Sequence, residues 1–159
     1  PENADFLFAR GYARDEMKDY PGSIADYDKA IALNPSFASA YYNRGFTMAN
    51  GLRNYPAAIA DYDRAIDLDP TDPAAHQNRG RLRNWTGDQA GALADANRAL
   101  ALDPKDNFNH IYFGEIIFLQ GRTAEGCASF RKGVSMSSLQ EVLKEAKPPL
   151  DPAYLKACR

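Results

Sequence analysis

The sequence runs to 159 residues, 45% of them hydrophobic and 25% charged, with 19 basic residues against 21 acidic ones for a formal net charge of -2. A chain of this length buries roughly two-thirds of the surface its unfolded form exposes, which is enough for one cooperative apolar interior and too little for a second independent domain. Lys and Arg are interleaved with Asp and Glu throughout, so the clustered positive surface that nucleic acid needs is missing, and the longest apolar run, Ile116 to Leu119, falls far short of the roughly 20 residues of a membrane span.

Residues 1–35 hold two expected helices. The second opens at Tyr20-Pro21, where proline suits the first helical position because its missing N–H would have had no partner. It carries Ile24, Tyr27 and Ile31 at the 3.6-residue spacing of a half-buried helix. Residues 36–70 repeat the arrangement: the stretch from Tyr20 to Pro35 recurs as Tyr55 to Pro70, with Ile59, Tyr62 and Ile66 on the stripe and one extra residue between Asn50 and Asn54. Residues 71–104 open at Asp72-Pro73, turn at Gly87 and match more loosely as Gln89 to Pro104, and residues 105–138 turn at Gly121. Beyond them Leu139, Val142, Leu143 and Ala146 stand at i, i+3, i+4 and i+7, which predicts an amphipathic helix from about Ser138 to Lys147 covering the apolar end of the array. Pro148-Pro149 stops it. Asp151-Pro152 then opens a short last helix containing Cys158, and Leu150-Asp151-Pro152 also imitates a junction between repeats.

The repeats lock to a period. Gly11, Gly45, Gly80 and Gly114 step by 34, 35 and 34, and Pro35, Pro70 and Pro104 by 35 and 34, with Ser138 where a fourth proline would fall. Small residues recur at Ser23, Ala58, Ala92 and Gly126 and again at Ala30, Ala65, Ala99 and Gly133, flanking a slot that holds Tyr27, Tyr62, Ala96 and Phe130. This pattern resembles the tetratricopeptide repeat, although the early Trp slot of that family is filled here by Leu7, Tyr41, His76 and His110. The resemblance implies an all-α fold, a right-handed α-solenoid of about four helix-turn-helix repeats over 1–138, followed by a capping helix and a short tail helix over 139–159. One hairpin cannot bury its apolar stripe and stacking buries it. Pro1 stands ten residues before Gly11, as Pro35 does before Gly45, and is expected to close a repeat upstream of it.

Arg10, Arg44 and Arg79 each precede a repeat glycine, while Asp26, Asp61 and Asp95 each precede the aromatic slot; the fourth repeat loses both and carries Phe113 and Ser129. The correlation predicts a partly exposed Arg to Asp pair between the helices of each repeat, replaced in the last by an apolar contact against the cap. His76 and His110 lack a Cys or carboxylate one turn away, so they read as packing groups in the large apolar slot, with no metal and no cofactor expected. Cys127 falls where the earlier repeats have Ile24, Ile59 and Leu93 and reads as a small core residue; the alternative is a bridge to Cys158 that fixes the tail to the fourth repeat. No phosphate-cradling glycine loop and no nucleophile–base arrangement emerges, so no enzyme is expected.

In the family the first helices line a concave groove, which carries over to Asp5, Phe8, Tyr12 and Glu16, then Tyr42, Asn43 and Phe46, then Gln77, Asn78, Arg81 and Trp85, then Phe108, Ile111, Tyr112, Glu115 and Leu119. The resemblance implies an adaptor that holds a protein or peptide segment there, with Phe8, Tyr12, Tyr42, Asn43, Phe46, Gln77, Asn78, Arg81, Trp85, Tyr112 and Glu115 as its contacts. Phe108, Ile111 and Leu119 pack instead against the tail in the competing reading. An assembly module that pairs through its N-terminal face is the alternative role. Family members that clamp a chaperone's terminal carboxylate use Lys and Arg with two Asn; here those places hold Phe8, Tyr12, Asn43, Ala74 and Asn78, so only one Asn agrees and every basic residue is absent.

Overall fold

The computed structural model describes residues 3–136, 139–145 and 150–158, and the regular structure among them is α-helix throughout. Pro1, Ser138 and Ala146 to Pro149, which figure in the expectations above, lie outside the described residues. The helices are α1 (Ala4–Glu16), α2 (Tyr20–Leu33), α3 (Ala38–Asn50), α4 (Tyr55–Leu68), α5 (Pro73–Thr86), α6 (Gln89–Leu102), α7 (Asn107–Leu119), α8 (Thr123–Ser135), α9 (Leu139–Glu145) and α10 (Pro152–Cys158). They fall into two compact units, Pro1–Ala75 and His76–Arg159.

Local chemistry sets the boundaries. Asp19, Asn54 and Asp88 cap α2, α4 and α6 by accepting from Gly22, Ala57 and Gly91 N–H, and proline follows the cap in α2 and α4. Asn34, Asp69 and Asp103 hold the links between hairpins, each accepting from the amide two residues on, at 3.2, 3.0 and 3.0 Å. The Thr71 hydroxyl and amide together hold the Asp69 carboxyl below its usual range.

The turn inside each hairpin needs one left-handed residue. Gly87 and Gly121 supply it at φ 93° and 85°, as the sequence led one to expect, whereas Lys18 and Arg53 occupy the same slot at φ 63° and 55° and are strained there by their Cβ. Gly87→Ala should therefore lose about 1 kcal/mol, and Arg53→Gly should gain a few tenths to about 1 kcal/mol. Urea denaturation of the two variants measures both signs; stabilisation by alanine at 87 would contradict the turn geometry.

Close helix crossing depends on the repeat glycines. At Gly114 an added Cβ would lie 2.6 Å from the Gly126 carbonyl oxygen and would also strike the Tyr154 hydroxyl, so α7 and α8 could not approach as they do. In unit 1, Leu7, Ala30 and Ala40 form a core joined by Phe8, Ile31 and Phe37. In unit 2, Ala92, Ala96 and Ile116 pack with Leu93 and Phe113, and a larger cluster gathers Ile111, Tyr112, Cys127, Phe130, Leu150, Tyr154 and Cys158. Leu139 of α9 touches that cluster but Leu143 is exposed, so the cover over α7 and α8 comes chiefly from α10.

Candidate functional site

The faces that could meet a partner are positioned by the arginine–aspartate pairs. Arg10 donates from Nε and Nη2 to Asp26 at 2.7 and 2.6 Å, Arg44 to Asp61 at 2.8 and 2.6 Å, and Arg79 to Asp95 at 2.9 and 2.6 Å. The pairing matches the sequence correlation, but the carboxylates are deeper than a surface pair, at 1%, 6% and 3% exposure. A second arginine, three residues after the repeat glycine, joins in two cases: Arg14 donates to Asp26 at 2.8 Å and Arg83 to Asp95 at 2.9 Å. The spacing itself carries this signal, since Arg14 and Arg83 stand at the same offset from Gly11 and Gly80. The expected contact of Phe113 with the cap falls largely outside the described residues; among these Phe113 packs against the Ala92, Ala96 and Ile116 cluster, where α7 meets α6. Ser129 Oγ instead donates to the His110 carbonyl at 2.7 Å.

Both histidines are buried in the large apolar slot. His76 Nδ1 lies 3.5 Å from Asp95 Oδ1, and His110 Nε2 lies 3.0 Å from the Pro104 carbonyl oxygen. Cys127 is buried as a core residue and is also bridged to Cys158, so the two readings of that cysteine merge.

In unit 1 the first-helix faces stay accessible. Tyr12 is 53% exposed; Phe8, Tyr42, Asn43 and Phe46 are half-buried. Phe8 is seated between Tyr27 and Phe37, with centroids 5.8 and 4.9 Å away, and the Tyr42 ring lies 5.6 Å from Tyr62. Asn43 Nδ2 donates to the Ser39 carbonyl at 2.8 Å, which orients its amide along α3.

In unit 2 the same face is largely covered. Trp85 remains 39% exposed and Asn78 half-buried, and Gln77 Nε2 donates to Asn109 Oδ1 at 2.8 Å. Arg81, Tyr112 and Glu115, expected as contacts on an open face, are buried. The Arg81 guanidinium lies 3.8 Å from the Tyr112 ring centroid and 5.8 Å from that of Trp85, and its Nε is 4.0 Å from Glu115 Oε2. Glu115 Oε1 accepts the Asp151 N–H at 2.5 Å, Leu150 joins the Ile111–Tyr112 cluster, and Tyr154 Oη donates to the Ile111 carbonyl at 3.0 Å. Leu150, Asp151 and Tyr154 thus lie on Ile111, Tyr112 and Glu115, while Arg81 is covered by Tyr112 and Glu115 of α7. Phe108 and Ile111 follow the competing expectation of packing against the tail, since both join the cluster of Leu150 and Tyr154, whereas Leu119 stays 39% exposed.

These groups titrate in opposite senses. The Arg10 hydrogen bond, helped by the charge of Arg14, holds Asp26 below its ordinary 3.8, whereas burial pushes Glu115 above its ordinary 4.5 despite Arg81. Asp26 therefore adds stability that is complete above pH 4 and disappears as pH falls through its folded pKa, because the unfolded chain takes up the proton first. Glu115 does the reverse: its contribution is complete below about pH 4 and is lost as pH rises through its folded pKa. Stability against pH should show a weaker acid limb in Asp26→Asn and a weaker loss above pH 4.5 in Glu115→Gln; parallel curves for all three proteins would contradict the assignment.

The TPR repeat family pattern matches residues 16–51 and 54–83. Among solved structures, MamA superposes with a TM-score of 0.77 at 20% identity, over 87% of this chain and 80% of that one. TTC0263, a thermophilic TPR protein of Thermus thermophilus, gives 0.75 at 17% identity over 99% and 82%. The first TPR of Spaghetti (RPAP3), bound to the HSP90 peptide SRMEEVD, gives 0.71 at 22% identity over 74% and 93%. Curated proteins yield no match. Paired helices at a 34-residue beat, the repeats matched within residues 16–83 and these neighbours give the chain a tetratricopeptide-repeat fold.

Proposed function

We propose that the chain is an adaptor whose first-helix faces grip an extended peptide or protein segment. A tetratricopeptide fold supports protein–protein interaction scaffolding in general, and proteins of this type are typically not enzymes. The observation that carries the finer reading is the set Phe8, Tyr12, Tyr42, Asn43 and Phe46, aromatic and amide groups that the core of unit 1 leaves partly in solvent. Flat rings offer contact area at small entropic cost, and an amide both donates to and accepts from a peptide backbone.

Asn43 and Asn78 hold equivalent places in their helices and both keep part of their surface open. Pull-down with wild type against Asn43→Ala/Asn78→Ala should lose the specific partner, with helix content unchanged by circular dichroism. Equal recovery of every partner would remove the groove from consideration. The same protein, titrated with an acidic chaperone C-terminal peptide of the kind RPAP3 binds, should show no micromolar affinity, because Phe8, Tyr12 and Ala74 offer no cation to a terminal carboxylate.

A further inference from the structure

In unit 2 the chain behaves as its own ligand. Residues 150–158 contribute a buried apolar side chain at Leu150, a main-chain N–H from Asp151 to Glu115, and a buried aromatic at Tyr154, which is how a bound segment engages a groove lined by helices. Asp151 Oδ1 accepts from Ala153 and Tyr154 N–H at 2.8 and 3.0 Å, so an Asp-Pro step opens the helix that presents the tyrosine. The segment is then fixed to α8 by the Cys127–Cys158 bridge.

We propose that the Ile111–Tyr112–Glu115 face of unit 2 is a peptide-binding site for segments of Leu-Asp-Pro-x-Tyr chemistry, held shut in cis by the Cys127–Cys158 disulfide and opened by a dithiol reductant. The proposal deepens the adaptor reading and rests on it, naming what the face takes and what controls access. Two features support it beyond the bridge itself. The Glu115 carboxylate is engaged by a backbone amide of a distant segment, an interaction that the repeat architecture does not require. And α10 is seven residues long, a length at which a helix is marginal unless something holds it in place.

Opening follows ordinary exchange chemistry. A thiolate of the dithiol attacks Cys158 Sγ after α10 loosens, since both cysteines are buried; the S–S bond breaks and Cys127 leaves as a thiolate that takes up a proton. The second thiol of the reductant then displaces Cys158 and closes the reductant's own disulfide, so two electrons and two protons pass from the dithiol to the protein. Cutting a closure across 31 residues raises the population of the undocked segment by roughly two orders of magnitude or more.

The test uses the full chain, oxidised and after dithiothreitol, with a labelled peptide copying residues 150–158 and carrying C158S. Reduction should speed hydrogen exchange at the Asp151 and Tyr154 amides at least tenfold. The peptide should bind the reduced protein at least tenfold more tightly than the oxidised one, and Glu115→Gln should weaken that binding. Because the tethered segment competes, Leu150→Ala in the reduced chain should strengthen peptide binding further. Should Leu150→Ala lose helix content, the comparison of oxidised with reduced wild type decides alone. Equal peptide affinity in both redox states, or unchanged exchange at Asp151 and Tyr154, overturns the proposal. A failed Asn43→Ala/Asn78→Ala pull-down would sink the adaptor reading without touching either of these results.

Discussion

Asp95→Ala should lower the unfolding free energy by about 3 kcal/mol, among the largest effects of any exchange of one polar side chain here. Asp95 is buried and receives Arg79 at 2.6 and 2.9 Å and Arg83 at 2.9 Å, with His76 at 3.5 Å. Removing the carboxylate leaves two guanidinium groups one turn apart on α5, each mostly shielded from water, without the α6 charge that holds them there. An exposed pair would be worth under about 1 kcal/mol, so the magnitude distinguishes a buried anchor from a surface ornament. The fourth repeat, which carries Phe113 and Ser129 in the corresponding places, supplies the control. Arg79→Phe with Asp95→Ser should cost less than the sum of the two single changes, since the apolar solution removes both partners together. Urea denaturation of the wild type and these variants measures this. A loss below about 1 kcal/mol for Asp95→Ala would show that water already satisfies these groups.

Reduction of Cys127–Cys158, or Cys158→Ser, should cost about 3 kcal/mol. Cross-linking residues 31 apart removes loop entropy from the unfolded chain, and for a loop of that size the chain-entropy account gives about 3 to 4 kcal/mol. The loss should be local in its first appearance. Cys127, Phe130, Ile111, Leu150 and Tyr154 form one cluster, so amide protection should fall first in α10 and in the turns of α7 and α8 that face it. Mass spectrometry with and without reductant reports the bridge directly. An unchanged urea midpoint after full reduction would mean that packing around Tyr154 holds the segment without covalent help.

Much of this was legible from spacing because a repeat writes the same physical requirement several times. Gly11, Gly45, Gly80 and Gly114 recur because each lies at a tight helix crossing, tightest at Gly114, and Arg10, Arg44 and Arg79 recur with their aspartates because the first three hairpins share the same tie. A period cannot display a feature that breaks it. Lys18 and Arg53 hide in the turn slot because only their backbone angle, not their identity, fits the role that Gly87 and Gly121 announce. Phe113 joins a neighbour that spacing does not indicate, because a side chain that leaves the Arg–Asp pattern no longer says which surface it packs on.

What the sequence determined by itself is the local and repeated part: helices, their caps, the hairpin partners and the ion pairs inside each hairpin, all set by residues within about one repeat of each other. The tertiary structure alone decided which first-helix residues remain available, leaving Tyr12 in solvent while Arg81 disappears beneath Tyr112 and Glu115, and these two beneath residues 150–158. Burial depends on segments far apart in the chain, and a side chain's own type and spacing carry no record of what will come to lie on top of it.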